Sequence, residues 1–347
     1  MKKYIIEYDK YDDVLLLLGH EVPHSNLEHV KTVIVDLTEQ EYEALVGAGI
    51  NIVENQMGKE LLYAPSVIDP YSFTLPSPIQ TYLNLTASHN IGFDGTGVKV
   101  GIIDSGCRDL HAATVNIITR EDFTGFGANV DLYNHGSKGC MIVGQANNFN
   151  APGVAKGGIA PGCEIYSLKA FDGGQVSVIA AINYAIANGL DIINISLDMG
   201  FGLTTAINAA LTAGIIVVCA SGNNTGALMA HPANVPGVIA VNQVEYSDAT
   251  IQGSHLTYND EVGITHAAYN NGSYQVILGG TSYSAFITTG MLAIYKQKFP
   301  SLNTEKAINL LRKKALEMDG YTYTIDSTTK NKKLNYETGG GFLAPIN

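Results

Sequence analysis

The sequence has no tryptophan, few charged residues and no long apolar run, and the last two shortages each exclude a class of protein. It has no Trp, and 15% of its 347 residues are charged, whereas 46% are hydrophobic. Intrinsic disorder is excluded because disordered chains are rich in charge and poor in apolar residues. The longest apolar runs, 14–18 and 215–220, are far shorter than the roughly 20 residues that span a bilayer. We therefore expect a soluble globular protein with one large and one small domain.

Basic residues are also few, with 20 Lys and Arg against 32 Asp and Glu and a net charge of −12. Nucleic acid is not expected as a partner because its phosphates would be repelled, and no segment favours a membrane. The first residues reach Glu7 and Asp9 before any apolar stretch long enough for a secretion signal. We expect a cytoplasmic protein, or a secreted one if a signal segment has been removed.

Cysteine is scarce, and its spacing fits neither a metal site nor a disulfide framework. Free thiols in a reducing compartment are the expectation, with a disulfide as the alternative. The four positions are Cys107, Cys140, Cys163 and Cys219.

Residues 1–63 predict a small α+β domain, with strand, helix, strand, helix and strand in turn. The second helix is the best marked, because Thr38 and Glu41 form a capping box. Its expected apolar face consists of Tyr42, Leu45 and Val46.

Residues 64–78 contain four prolines and no periodicity, which is typical of an extended linker. From 79 to 347, strand-like apolar runs alternate with helix-like ones, as in 98–104 and 175–189. This alternation predicts an α/β fold, in which a doubly wound, mainly parallel sheet has helices on both faces.

Three polar residues occupy positions at which α/β folds commonly have their functional residues. Asp104 ends a buried strand, and His135 and Ser282 each open a small-residue stretch that predicts a helix. Singly, these residues are typical of turns and helix caps. A dinucleotide-binding loop is rejected because Gly95 and Gly97 precede the strand instead of following it.

The order Asp, His, Ser in IIDSG, NHGSKG and GGTSYSA resembles that of the subtilisin-like serine proteases, or subtilases. The resemblance implies a serine endopeptidase in which Ser282 is the nucleophile, His135 the general base and Asp104 its orienting partner. Asn223, in CASGNN, stands where the family has the asparagine that donates to the oxyanion. Gly136 is expected to give the imidazole room to meet the substrate.

The resemblance also implies where a protein or peptide substrate lies. One wall of the cleft is expected at Ser196, Leu197 and Asp198, and an edge strand for the substrate at Gly173 and Gly174. The opposite wall is expected at Ala220, Ser221 and Gly222. Asp198 replaces a family glycine, and two interpretations stay open: it selects a basic side chain, or it points to solvent.

Residues 1–63 more faintly resemble the subtilase propeptide, a chaperone and inhibitor with a ferredoxin-like fold. In that interpretation the chain is a zymogen, its own N-terminal domain is a partner, and it cuts itself near the start of the linker. The residues expected before the cut are Leu62, Tyr63 and Ala64. An ordinary accessory domain is the alternative.

The loop 145–158 lies where many subtilases bind structural calcium. Asn147 and Asn148 offer oxygen ligands, but Ala113 stands where the family has an aspartate. We expect no cofactor, with Ca²⁺ as the alternative. The competing function is a subtilase-fold binding protein without turnover, its cleft blocked by the N-terminal domain.

Overall fold

The structure is a computed structural model. It describes residues 1–9, 11–18, 24–57, 59–60, 83, 85–109, 115–146, 157–199, 201–223, 229–247, 250–253, 266–269, 280–314, 323–325 and 328–332.

The N-terminal domain has the predicted elements and one more strand. Its elements are β1 (Lys2–Glu7), α1 (Tyr11–Leu18), β2 (His24–Leu27), β3 (Thr32–Leu37), α2 (Glu39–Gly47) and β4 (Ile52–Glu54). The strands pair antiparallel in the order β2-β3-β1-β4, which is the ferredoxin-like arrangement that was expected.

The capping box of α2 is confirmed. Thr38 accepts a hydrogen bond from the Glu41 backbone, and the Glu41 carboxylate accepts one from the Thr38 backbone. The apolar face is narrower than predicted, because Leu45 is buried whereas Val46 is 46% exposed.

The larger sheet carries the rest of the fold. Its strands are β6 (Lys99–Asp104), β7 (Ile117–Asp122), β8 (Glu164–Lys169), β9 (Ile192–Ile195), β11 (Ile216–Ala220), β12 (Ile239–Ser247), β13 (Thr250–Gly253) and β14 (His266–Tyr269). Two short strands, β5 (Lys59–Glu60) and β10 (Leu197–Asp198), pair with each other outside it, as do β15 (Tyr323–Ile325) and β16 (Thr328–Lys332).

The order β13-β12-β11-β9-β6-β8-β7 makes β6 the strand at which the winding reverses. β14 pairs parallel with β12, and β13 is the antiparallel member of this sheet. Ligands of doubly wound sheets bind beyond the carboxyl end of the strand at the reversal point. Asp104 ends that strand, so the topology itself points to this edge.

Helices cover both faces of the sheet, as predicted. They are α3 (Leu85–Asn90), α4 (His135–Gly144), α5 (Gly174–Ala187), α6 (Thr204–Thr212), α7 (Thr281–Lys298) and α8 (Thr304–Lys314). Side chains along β11 alternate between two apolar cores, since Ile216 and Val218 join one and Val217 the other. The doubly wound α/β prediction is confirmed.

The N-terminal sheet is covered on two sides by different partners. Tyr4 and Ile6 face the domain's own helices, whereas Ile5 between them joins the core of α5 and α6. The 3₁₀ turn Glu28–Val30 also contacts α5 and α6, and Val30 is fully buried there. One face of this sheet is therefore closed by the larger domain.

The four cysteines are free thiols, as predicted, and the structure buries all four. Among the helices that the structure describes, none combines the length and apolarity needed to cross a bilayer.

Candidate active site

Asp104 and His135 form the central polar pair. The Nδ1 atom of His135 lies 2.8 Å from Oδ1 and 2.9 Å from Oδ2 of Asp104, and the two side chains are 0% and 1% exposed. The backbone N–H of Ser105 also donates to Oδ1 of Asp104, at 2.7 Å. A buried carboxylate held this way fixes the imidazole orientation and stabilises its protonated form.

Helix α4 reaches the end of β6 because Gly136 has no side chain. A Cβ atom there would lie 2.3 Å from the carbonyl oxygen of Gly106 and 3.2 Å from Cβ of Asp104. The expected role of Gly136, room for the imidazole to meet substrate, stays a prediction. The structure adds a second reason for glycine, because the absent side chain lets two backbones touch and so brings His135 to Asp104.

Ser282 lies in the first turn of α7. The helix follows Gly280, whose φ of +111° suits glycine, and the Ser282 side chain is buried. Its hydroxyl donates to the carbonyl oxygen of Ser196 at 3.3 Å. This contact joins the predicted nucleophile to the predicted substrate-binding wall.

The imidazole of His135 packs against the helix that carries Ser282. Its ring centroid lies 5.8 Å from that of Tyr283 and 5.5 Å from that of Phe286. Gly139 of α4 permits this contact, because a Cβ there would lie 2.5 Å from the Phe286 ring. Thus Asp104, His135 and the first turn of α7 meet in one buried place.

Asn223 is held by Thr281, the residue before the predicted nucleophile. Oδ1 of Asn223 accepts from the Thr281 backbone N–H at 2.8 Å and from the Thr281 hydroxyl at 3.0 Å. These bonds assign the oxygen end of the amide, so the NH₂ end faces away from Thr281. Thr281 was not singled out from the sequence, although its place beside Ser282 could have suggested it.

The two expected walls lie at the carboxyl ends of β9 and β11. β10 pairs antiparallel with β5 of the N-terminal domain, with Leu197 opposite Glu60 and Asp198 opposite Lys59. On the other wall, Ala220 ends β11, Ser221 is buried, and the Gly222 N–H donates to Thr281 Oγ1 at 3.2 Å.

The expected edge strand at Gly173 and Gly174 is wrong. Gly173 ends a 3₁₀ turn and Gly174, with φ of +71°, begins α5. The Ser177 side chain lies directly under Gly173, where a Cβ would be 1.8 Å from its Oγ. A turn and the start of a helix stand where the strand was expected. Among the described residues of the two segments expected to bind substrate, 173–174 and 196–198, β10 alone pairs with another strand, which is β5.

Helix α5 instead receives side-chain and backbone caps from the N-terminal domain. Asn55 Oδ1 accepts from Val176 N at 3.1 Å, and the Gln56 carbonyl accepts from Gln175 N at 2.9 Å. Asn55 Nδ2 donates to the Gly173 carbonyl at 3.2 Å.

A thiol beside the site is not a rival nucleophile. The pKa of Cys140 is raised well above its ordinary value by the hydrogen bond that its thiol makes to Cys107, by burial, and by the negative charges of Asp104 and Asp131. The thiolate is the reactive form, so Cys140 stays inert at neutral pH.

Some predicted residues lie outside those the structure describes. They are Leu62, Tyr63 and Ala64 of the expected cut, and Ala113, Asn147 and Asn148 of the calcium alternative. Within the described ranges, no group of three or more His, Cys, Asp or Glu is placed to hold a metal ion.

Comparisons with known proteins concern the family and the fold. The sequence pattern of the subtilase family matches residues 95–341. A thermostable alkaline protease of Halalkalibacterium halodurans is 32% identical over 246 residues, which cover 66% of this chain and 65% of that protein. M-protease of Shouchella clausii is 28% identical over 331 residues, which cover 91% of this chain and 83% of that protein.

Among solved structures, the crystal structure of fervidolysin from Fervidobacterium pennivorans, a keratinolytic enzyme related to subtilisin, has a similar fold. The TM-score is 0.69 with 20% sequence identity, over 97% of this chain and 60% of that one. The likeness extends through the N-terminal domain as well as the larger sheet.

Proposed function

Because this chain belongs to the subtilase family, we propose that it is a serine endopeptidase made as a zymogen. The observation that carries the proposal is the buried Asp104–His135 pair, set against the helix turn that holds Ser282. Protein or peptide is the substrate class, in keeping with relatives named as proteases.

In the first step, Ser282 Oγ attacks the scissile carbonyl carbon and His135 takes the hydroxyl proton at Nε2. The imidazole becomes positively charged, and Asp104, already bonded to Nδ1, stabilises that charge. His135 then gives the proton to the leaving amine, and the acyl group stays on Ser282. Water, activated by the same imidazole, releases the acyl group and restores the hydroxyl.

The carbonyl oxygen becomes negatively charged during attack and needs donors. Asn223 supplies its amide NH₂, since its oxygen end is engaged by Thr281. The backbone N–H of Ser282 is the second donor, and the start of α7 adds partial positive charge.

We propose that residues 1–63 form the propeptide-like domain, 64–78 the linker and 79–347 the catalytic domain. Three contacts support this role: Ile5 packs on the core of α5 and α6, Asn55 and Gln56 cap α5, and β5 pairs with β10. The domain thus occupies a wall that a substrate would need, which is how an inhibitor acts.

The direction of β5 supports self-processing. From Lys59 to Glu60 the chain runs from Asp198 toward Leu197, and hence toward Ser196, the residue bonded to Ser282. We propose that the segment just beyond β5 enters the site and is cut near the start of the linker.

The experiment that tests the proposal compares the full chain with Ser282→Ala and Ser284→Ala. Both serines are fully buried in the first turn of α7, so Ser284→Ala is a matched control. We expect a fluorophosphonate probe to label the wild type and Ser284→Ala but not Ser282→Ala. Mass spectrometry should find the cut soon after Glu60 in the two labelled proteins alone.

A wild type that is neither labelled nor cut, like Ser282→Ala, would overturn the proposal and favour the binding-protein alternative. The four free thiols suit a reducing compartment, and a cytoplasmic location stays a prediction.

A further inference from the structure

A second buried aspartate lies close to the Asp104–His135 pair. Asp131 precedes His135 by four residues and is 1% exposed, yet the mechanism above gives it no role. Burying a carboxylate is unfavourable unless donors replace its lost water.

Those donors are all present. Oδ2 of Asp131 accepts from the Ser137 backbone N–H at 2.9 Å and from the Ser137 hydroxyl at 2.6 Å. Oδ1 accepts from Tyr133 N at 3.1 Å and from the Ser105 hydroxyl at 2.9 Å. Each oxygen therefore has two donors, and the carboxylate is satisfied in its ionised form.

These donors flank the two residues of the pair. Ser105 directly follows Asp104, and Ser137 lies two residues after His135. The Ser105 hydroxyl also accepts from the Gly136 N–H at 3.0 Å. One carboxylate thus joins the end of β6 to the first turn of α4.

The Ser105 hydroxyl has a single proton and lies within reach of two carboxylates, 2.9 Å from Asp131 and 3.1 Å from Oδ1 of Asp104. Oδ1 of Asp104 already accepts from Ser105 N and from His135 Nδ1. We assign the hydroxyl proton to Asp131, which is the shorter contact.

Ordinary helix capping does not explain this arrangement. The N-cap residue of α4, Asn134, makes no side-chain capping bond, and Asp131 supplies the acceptor from three residues earlier. A cap for α4 alone would not need Ser105. Arg108 completes the set, since its Nε donates to the Asp131 carbonyl at 2.7 Å and its N–H to Ser137 Oγ at 3.1 Å.

We propose that Asp131 is a positioning residue for His135: it locks the first turn of α4 to Ser105 so that the imidazole stays aligned between Asp104 and the nucleophile. It contacts neither substrate nor reacting atoms. The inference rests on the proposed role of His135 as general base.

The test compares Asp131→Asn with Asp122→Asn in the full chain. Asp122 is a matched control because it also accepts four hydrogen bonds, from Thr124 N and Oγ1, Gly125 N and Gly127 N, in the segment that leads to α4. A misplacement of about 1 Å can lower turnover about 100-fold. We expect Asp131→Asn to lower kcat by about 10- to 100-fold with KM nearly unchanged, and Asp122→Asn to change neither much.

A second measurement does not depend on turnover. The proton between His135 Nδ1 and Asp104 should give a strongly deshielded NMR signal, which we expect to broaden or vanish in Asp131→Asn and to persist in Asp122→Asn. Ser137→Ala should act like a weaker Asp131→Asn, and Ser137→Thr should restore the wild-type values because it keeps the hydroxyl.

Equal losses in Asp131→Asn and Asp122→Asn, or a loss confined to KM, would overturn the proposal. If the wild type has no turnover, the proposed function fails, but the NMR signal still decides the positioning role. If the NMR signal of the proton between His135 Nδ1 and Asp104 is unchanged in Asp131→Asn and Ser137→Ala, Asp131 does not position His135.

Discussion

The two sheets of this molecule are enclosed differently. The larger sheet has its own helices on both faces, whereas the N-terminal sheet has its own helices on one face and those of the larger domain on the other. Ile5, Ile34 and Val53 are cross-strand neighbours that form this second face. Among the described residues, the larger sheet is thus enclosed by helices of its own domain, and the smaller sheet packs one of its two faces on the larger domain.

Under the proposed function, this difference places the catalytic residues in one domain and the control of their activity in the other. Asp104, His135, Asn223 and Ser282 all belong to the larger domain. Among the described residues, the smaller one contributes an apolar face, the 3₁₀ turn Glu28–Val30, two caps for α5 and one short strand. Changes to the first set should alter bond cleavage, and changes to the second should alter only when cleavage begins.

The largest expected effect is that of Asp104→Asn. The amide keeps the shape but loses the charge, and it favours the wrong imidazole tautomer, so turnover should fall on the order of 10⁴-fold. The measurement is peptide hydrolysis, with Asp36→Asn, an exposed partner of Lys3, as the control. Turnover within about tenfold of wild type would contradict the assigned role of Asp104.

Asn223→Ala should have the next largest effect. Loss of one oxyanion donor lowered turnover on the order of 10²–10³-fold in subtilisin, a relative, and we expect a similar loss here. Thr281→Ser keeps both donors to Asn223 and should be nearly neutral. A change seen mainly as a higher KM would show that Asn223 binds substrate instead of the transition state.

Ile5→Ala should change how soon peptidase activity appears but not the final rate of peptide cleavage. It removes three buried carbons at about 0.8 kcal/mol each, or roughly a 60-fold weaker contact between the domains. The lag before full peptidase activity should shorten, while the final kcat stays the same. Val46→Ala, at an exposed site of the same domain, is the control, and an equal change in both variants would refute the interface.

The smallest expected effect concerns pH. Burial lowers the pKa of His231 from its ordinary 6.5, although a hydrogen bond to Asn234 opposes the shift. The unfolded chain takes up a proton below pH 6.5 that the folded chain resists, so stability should fall as pH drops below that value. Urea midpoints at pH 7.5 and 5.5 should differ less in His231→Gln than in the wild type.

Much of the larger sheet could be predicted because its strands are buried on both faces. β6, β9 and β11 have nearly continuous apolar sequences, which are typical of strands buried on both faces of a parallel sheet. Two strands have sequences too polar to be predicted in this way. They are β7, with IITRED at the sheet edge, and β2, with HSNL.

The site shows the same limit. Asp104 and His135 could be placed at the edge where α/β folds keep their chemistry, because one ends a buried strand and the other begins a helix. Their pairing was predicted from the resemblance to subtilases. The edge strand at Gly173 and Gly174 was predicted wrongly, because a pair of glycines is equally typical of an edge strand and of a turn that begins a helix. The role proposed for Asp131 could not be predicted from the sequence, because an aspartate four residues before a helix is typical of a solvated turn.

The pairing of β5 with β10 joins two segments of one molecule, so in the proposed self-processing the active site would meet its first peptide without diffusion. The tether, and not the amount of protein, sets the effective concentration of that peptide. Maturation should therefore follow first-order kinetics, with a half-time that dilution does not change. Under this proposal, a low concentration of the protein would not delay the first cut; it would delay only the later encounters with other chains.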